Sequence, residues 1–304
     1  MSSGVVLGGL DGSNPLAFLA ALGALRLSAS FEPDVRLHWR MEGEWHPVLT
    51  GVAGTEEEEL CRRLAGADPI ADETLKILGK NLTVPPDVFE LFVKTAERNL
   101  LETRDRRAAD FAAALGSEVC VDSRKNRIEY TSFCFITGSG HQDFVETARA
   151  LVQNTKPEQI REALFGPWQC TDKGLSMRWD PSDAVEYALR WDNPGPLGVK
   201  SVWGATRLAV EALPLFPAHP TWRGLATTGF REESDLEEFT WPIWETPIGL
   251  YTVRTILSLA ELRQKTPDRL TLRERGISEV FRSRRVRIGQ GANFKVSFRP
   301  ARSV

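Results

Sequence analysis

The segment from Gly8 to Phe31, GGLDGSNPLAFLAALGALRLSASF, limits what this chain can fold into more than any other stretch. Asn14 is a strong N-cap residue, and Pro15 stands where the first residue of a helix needs no N–H. From Leu16 to Leu25 every residue is apolar or glycine. A helix that is apolar on all sides has to be enclosed on most of them. It is too short to cross a bilayer, which takes about 20 apolar residues. Val5, Val6 and Leu7 read as a short buried strand, so strand, glycine turn and enclosed helix form the expected hub of a first lobe. The turn carries Gly8, Gly9 and Gly12. Glycine loops that open helices can cradle phosphate, but neither GK[ST] nor GxGxxG is present, and a tight turn with an N-cap accounts for the spacing.

Enclosing that helix takes a sizeable core, and 304 residues can supply one. The chain reads as an α+β fold of mixed or antiparallel sheets with packed helices. It is expected to form one compact unit of two lobes, 1–165 and 166–304, the second ending in a basic β-ribbon. The start, Met1-Ser2-Ser3-Gly4, lacks the basic region of a signal peptide. Cys61, Cys120, Cys134 and Cys170 show no ligand-like spacing, so buried reduced thiols and a cytoplasmic location, with no membrane, are expected.

Read in order, Val35 to Met41 and Trp45 to Thr50 form a hairpin carrying His38 and His46. Two hairpin histidines without a third ligand fit a sheet surface better than a metal site. Short helices follow at Glu56 to Leu64 and Glu73 to Leu78, then longer ones at Asp87 to Arg104 and Ala108 to Leu115. His141 stands at the start of the helix His141 to Gln153, where capping is the simplest role. Leu175 to Asp180 reads as a strand, with helices at Ser182 to Leu189, Trp203 to Leu213 and Ile248 to Gln264. Gly224 to Phe230 reads as a further strand. The acidic run Glu232, Glu233, Asp235, Glu237 and Glu238 is either solvated or paired with the basic tail. The aromatic run Phe239-Thr240-Trp241-Pro242-Ile243-Trp244 belongs in a core or an interface.

The net charge of −3 argues against a generic nucleic-acid binder, but its distribution does not. Thr271 to Val304 holds nine Arg or Lys and two Glu, a local charge of +7 that leaves −10 on the rest. Within it, Gly276 to Ile288 and Phe294 to Phe298 form a ribbon bearing Arg282, Arg284, Arg285, Arg287, Lys295 and Arg299. Forked guanidinium donors with interleaved Phe281, Phe294 and Phe298 suit contact with a nucleic-acid backbone, and a charged edge hairpin kept soluble by its arginines is the plainer alternative. Strand alternation puts Arg285 and Arg287 on one face and Arg282 and Arg284 on the other, so one pair should dominate. A second basic element, Arg124, Lys125 and Arg127, tips the hairpin of Glu118 to Asp122 and Ile128 to Ile136. It is either a phosphate-contacting finger or a solvated turn.

No G-x-S-x-G, HExxH, Walker A or kinase motif occurs, and no carboxylate pair, metal site or cofactor motif stands out. The expectation is a protein that is not an enzyme. Several pieces resemble large-subunit-type proteins of type I CRISPR effector (Cascade) complexes, nearest the I-G (formerly I-U) subtype. They are NPLAFLAALGALRL at the start, FGPW at Phe165 to Trp168, RWDP at Arg178 to Pro181, EYALRW at Glu186 to Trp191, RLAVEALPLFP at Arg207 to Pro217, FTWPIW at Phe239 to Trp244 and RGISEVFRSRR at Arg275 to Arg285. The resemblance implies a non-catalytic subunit for antiviral defense that helps hold guide RNA and recognise target DNA beside other subunits. Base pairing would supply most of the sequence specificity. Two other functions fit the residues: a metal-dependent nuclease using carboxylates, or a scaffold docking an acidic protein.

Overall fold

The computed structural model describes residues 4–52, 56–66, 72–135, 143–184, 200–233, 236–288 and 294–304. The fold is α+β. Strand β1 (Val5–Val6) leads through the glycine turn into helix α1 (Pro15–Ser28), and β2 (Arg36–Glu42) and β3 (Glu44–Thr50) follow. These strands form a three-stranded antiparallel sheet with β3 in the middle. Helices α2 (Glu57–Gly66), α3 (Asp72–Leu75), α4 (Pro86–Thr103) and α5 (Arg107–Leu115) come next. Strands β4 (Gly116–Asp122) and β5 (Arg127–Tyr130) form a hairpin ahead of α6 (Phe144–Asn154) and α7 (Pro157–Phe165). A small pair, β6 (Asp172–Lys173) and β7 (Lys200–Ser201), precedes α8 (Trp203–Ala212) and the hairpin β8 (Ala218–Thr221) and β9 (Gly224–Thr227).

The remainder builds the largest sheet. Strands β10 (Phe230–Glu233) and β11 (Leu236–Ile243) are followed by α9 (Leu250–Leu257) and α10 (Arg269–Glu274), then β12 (Glu279–Ile288), β13 (Lys295–Phe298) and β14 (Arg302–Ser303). The antiparallel order is β10-β11-β12-β13, and β14 also pairs with β12.

Every residue of α1 is buried. Asn14 caps it, its side-chain oxygen accepting from the Leu16 and Ala17 N–H groups at 2.8 and 3.3 Å. What encloses α1 is α8, laid against it at backbone contact. A Cβ on Gly23 would sit 1.7 Å from the Leu208 carbonyl oxygen, so only glycine permits this approach. Gly204 repeats the device where α8 meets α7, since a Cβ there would lie 2.0 Å from the Gln159 carbonyl oxygen. Across the α1–α8 contact the buried Arg26 donates to Glu211 at 2.7 Å. The glycine turn is packed for the same reason: Gly9 abuts Gly166 and donates its N–H to the Leu164 carbonyl at 2.9 Å.

The aromatic run of β11 lies in the core and joins the two sheets. Phe18 of α1 stacks on Trp39 of β2 at 5.6 Å and meets Trp241 at 5.8 Å. The indole N–H groups of Trp241 and Trp244 donate to the Gly12 and Leu37 carbonyls, each at 2.8 Å. One hydrophobic cluster extends from Leu7 to Phe298 and crosses residue 165. Among the described residues no helix is long and apolar enough to cross a membrane.

Four expectations need correction. The strand expected at Ile128 to Ile136 ends at Tyr130, and the chain turns after it, the Cys134 N–H donating to the Thr131 carbonyl at 3.0 Å. Leu175 to Asp180 is not a strand: Leu175 and Arg178 have φ of 43° and 60°, which breaks any extended run, and Trp179 is buried instead, donating to the Phe133 carbonyl at 3.0 Å. Ile248 to Gln264 is not one helix. It runs as α9, breaks at Leu259, whose ψ of 126° is extended, and resumes as a 3-10 turn at Ala260–Arg263. Gly224 to Phe230 is not one strand, because Gly229 at φ 83° separates β9 from β10. His38 and His46 are not opposite each other, since they pair with Val48 and Arg40. Burial lowers the pKa of His38. His141, Asp235 and most of the helix expected at Ser182 to Leu189 lie outside the described residues.

Candidate nucleic-acid interface

Alternation along β12 gives it two unlike faces. Phe281, Ser283, Arg285 and Arg287 point one way, and Val280, Arg282, Arg284 and Val286 the other. The first face continues the core. Phe281 packs beside Trp241, with ring centroids 6.1 Å apart, and Phe298 opposes Arg285. Past the edge of that core, Arg285 lies over the Phe135 ring at 5.1 Å and is ion-paired with Glu237. Arg287 lies over Phe294 at 3.7 Å. These two arginines therefore use aromatic faces, as the interleaved phenylalanines implied, but Arg285 is largely occupied within the protein.

The second face carries the charge. On it Arg282 opposes Thr240, while Arg284 opposes Glu238 on one neighbouring strand. On the other neighbour the Arg299 N–H donates to the Arg284 carbonyl at 2.9 Å, which sets these two residues side by side. The acidic run thus pairs with the basic strand. Glu238 is buried and holds Arg231 at 2.9 Å and Arg302 at 3.2 Å, with Arg282 at 3.8 Å. Three arginines, 231, 282 and 302, lie within 4 Å of this one carboxylate, and Arg284 stands opposite Glu238 across the strands.

Arg282 does not reach solvent, and its expected place among exposed contacts is corrected. Its Nε donates to Thr240 Oγ1 at 2.8 Å, and its Nη atoms donate to the carbonyls of Lys265 at 2.9 Å, Leu262 at 3.1 Å and Gln264 at 2.7 Å. These carbonyls lie at and just past the end of the 3-10 turn Ala260–Arg263, where no helical N–H takes them. Burial is the largest influence on Arg282 and draws its pKa down, while Glu238 opposes the shift.

Arg284 and Arg299 are the opposite case. Both are exposed, and among the described residues neither guanidinium has a hydrogen bond or ion pair. Glu238, which opposes Arg284, is instead bonded to Arg231 through one oxygen and to Arg302 through the other. Like charges placed directly across neighbouring strands disfavour folding. Lys295, half-buried, sits further along β13 opposite Ile288.

The other basic element is the turn of the β4–β5 hairpin, where Arg124, Lys125 and Arg127 are all exposed. Asp122 tempers it: it pairs with Lys125 at 3.2 Å and accepts from the Arg124 N–H at 3.0 Å. The Lys125 hydrogen bond is the main reason that the Asp122 carboxyl is held below its usual range. Tyr130 at the base of this hairpin links it to the sheet. Burial pushes its phenol up to about 12, while the positive charges of Arg285 and Arg127 pull the other way.

Arg231 and Arg302 belong to the charged face although sequence reasoning did not select them. The signal was available in the spacing of Arg231 to Glu238 across a short hairpin, but only register turns it into a contact. No model of a known protein family matches the chain, and no curated protein matches it.

Proposed function

We propose that this chain is a nucleic-acid-binding, non-catalytic subunit of a type I CRISPR RNA-guided surveillance complex. It helps hold guide RNA and recognise target DNA, with phosphates seated on the Arg284–Arg299 face. The observation that carries the nucleic-acid part of this reading is the pair itself: two exposed guanidiniums across adjacent strands, without a protein acceptor among the described residues. Such a pair costs stability and presents two sets of forked donors side by side, which suits a phosphate backbone. Arg302, largely exposed beside them, extends the face. The assignment to a CRISPR complex rests on the sequence resemblance.

The test is the double variant Arg284→Ala, Arg299→Ala. Binding to short RNA and duplex DNA is measured at several salt concentrations. Weaker binding is expected, with a salt slope reduced by roughly 0.7 to 0.9 per lost phosphate contact. When the chain is co-expressed with the products of neighbouring genes, the native protein should retain RNA through purification and the double variant should lose it. Unchanged affinity and slope would sink the reading. Docking of an acidic protein that depends on the same two arginines would replace it.

A further inference from the structure

A second cationic site lies away from the sheet, between the end of α1, the start of α5 and the first turn of α9. There a cavity of about 240 Å³ is lined by Arg26, Arg106, Arg107, Arg254, Asp110 and Tyr251, among others. The guanidiniums come from three separate segments of chain, so no single helix face explains their meeting. Their acids are too few. Glu211 takes Arg26 at 2.7 Å, and Asp105 takes Arg107 at 2.9 Å. The Asp105 carboxyl is held below its usual range chiefly by that hydrogen bond to Arg107. Asp110 is left to serve Arg106 at 3.0 Å and Arg254 at 3.4 Å, with Arg26 at 3.8 Å.

Two features point to a ligand. The Arg254 side chain is 28% exposed, and its one hydrogen bond among the described residues is a long one, from Nη2 to Asp110 at 3.4 Å. A guanidinium presents five donors in a fork, so most of those of Arg254 are left to an acceptor from outside. Tyr251 stands at the mouth with 76% of its surface exposed. We infer that this cavity binds a small phosphomonoester, its phosphate accepting from Arg254 and Arg106 while Tyr251 covers the nucleoside or sugar attached to it. A phosphate has the charge to offset the surplus arginine and enough oxygens for two forked donors. The site is independent of the proposed nucleic-acid face.

The full chain is titrated calorimetrically with inorganic phosphate, AMP and adenosine, and with a short RNA bearing a 5′-phosphate or a 5′-hydroxyl. AMP should bind and adenosine should not. Arg254→Gln should weaken AMP binding by about tenfold or more. Tyr251→Ser, a change at an exposed position that leaves the fold intact, should weaken AMP but not inorganic phosphate. Arg284→Ala with Arg299→Ala should leave AMP binding as it was. Equal binding of AMP and the phosphorylated strand assigns the site to a free mononucleotide, and preference for the phosphorylated strand assigns it to a strand end. The inference fails if no phosphorylated ligand outbinds its unphosphorylated counterpart. It fails equally if Arg254→Gln binds AMP like the native chain, or if AMP binding disappears with the sheet pair.

Discussion

Arg282 and Arg284 share one face of β12, yet one is spent on the fold and the other is left to solvent. The difference lies in what covers the strand. Over Arg282 lies the segment containing the 3-10 turn Ala260–Arg263 and α10, packed through Leu262, Leu272, Ile277 and Val280. Its carbonyls converge on the guanidinium and satisfy it. Over Arg284 there is no such cover, and its cross-strand neighbours are Glu238, already bonded to other arginines, and Arg299. Burial with complete hydrogen bonding makes an arginine structural, whereas the same residue at the rim of the cover remains available to a ligand.

Substitution at Arg282 should break this contrast most visibly. Arg282→Ala strands three carbonyls and a hydroxyl in the interior, so a loss of about 3 to 5 kcal/mol is expected in urea unfolding. A loss near zero would mean that the cover does not depend on the arginine. Arg282→Lys keeps the charge but lacks the planar fork needed for several acceptors, and about 1 to 3 kcal/mol should go. By contrast, the double variant Arg284→Ala, Arg299→Ala should unfold within about 0.5 kcal/mol of the native chain. A clear stability loss there would place the pair in the scaffold. The smallest effect concerns the cover itself. Asp268 caps α10, accepting from the Leu270 and Thr271 N–H groups and the Thr271 hydroxyl. That hydroxyl is the main reason that its carboxyl is held below the usual range. A lowered carboxylate pKa adds stability above the unfolded value, about 3.9, and the contribution fades as pH falls through the lower folded value. The protection of α10 amides relative to intrinsic exchange at the same pH should therefore fall below about pH 4 in the native chain, and Asp268→Asn should flatten that dependence.

Local chemistry made α1 legible. Asn14, Pro15 and an unbroken apolar run identify its start and its enclosure from a dozen or so adjacent residues. The strands of the basic ribbon were legible for the same reason, as was the β4–β5 hairpin, although its second strand ends at Tyr130, well short of the expected length. The division of labour among the arginines was not, because it depends on groups distant in sequence. Arg282 is buried by carbonyls at 262 to 265, in a stretch whose apolar spacing fits one continuous helix, and the break at Leu259 leaves no mark that composition reveals. Glu238 can be read as pairing with the tail, yet choosing Arg231 and Arg302 over Arg284 requires the register of three strands. Leu175 to Asp180 misleads in the other direction. Its alternation suits a strand, but among the described residues it joins no strand in a ladder, and the carbonyls of Arg178 and Asp180 instead accept from the Ser297 hydroxyl of β13.

The enclosure of α1 also has a consequence in time. Arg26 and its partner Glu211 are 185 residues apart, and α8 is the helix that covers α1. During synthesis at about 5 to 20 residues per second, that separation amounts to roughly ten to forty seconds between the appearance of the two helices. For that interval the nascent chain carries an apolar helix whose permanent neighbour has not yet been made. A ribosome-bound chaperone that shields short apolar segments has a natural client in the first thirty residues, and pausing translation before α8 should lengthen its residence there.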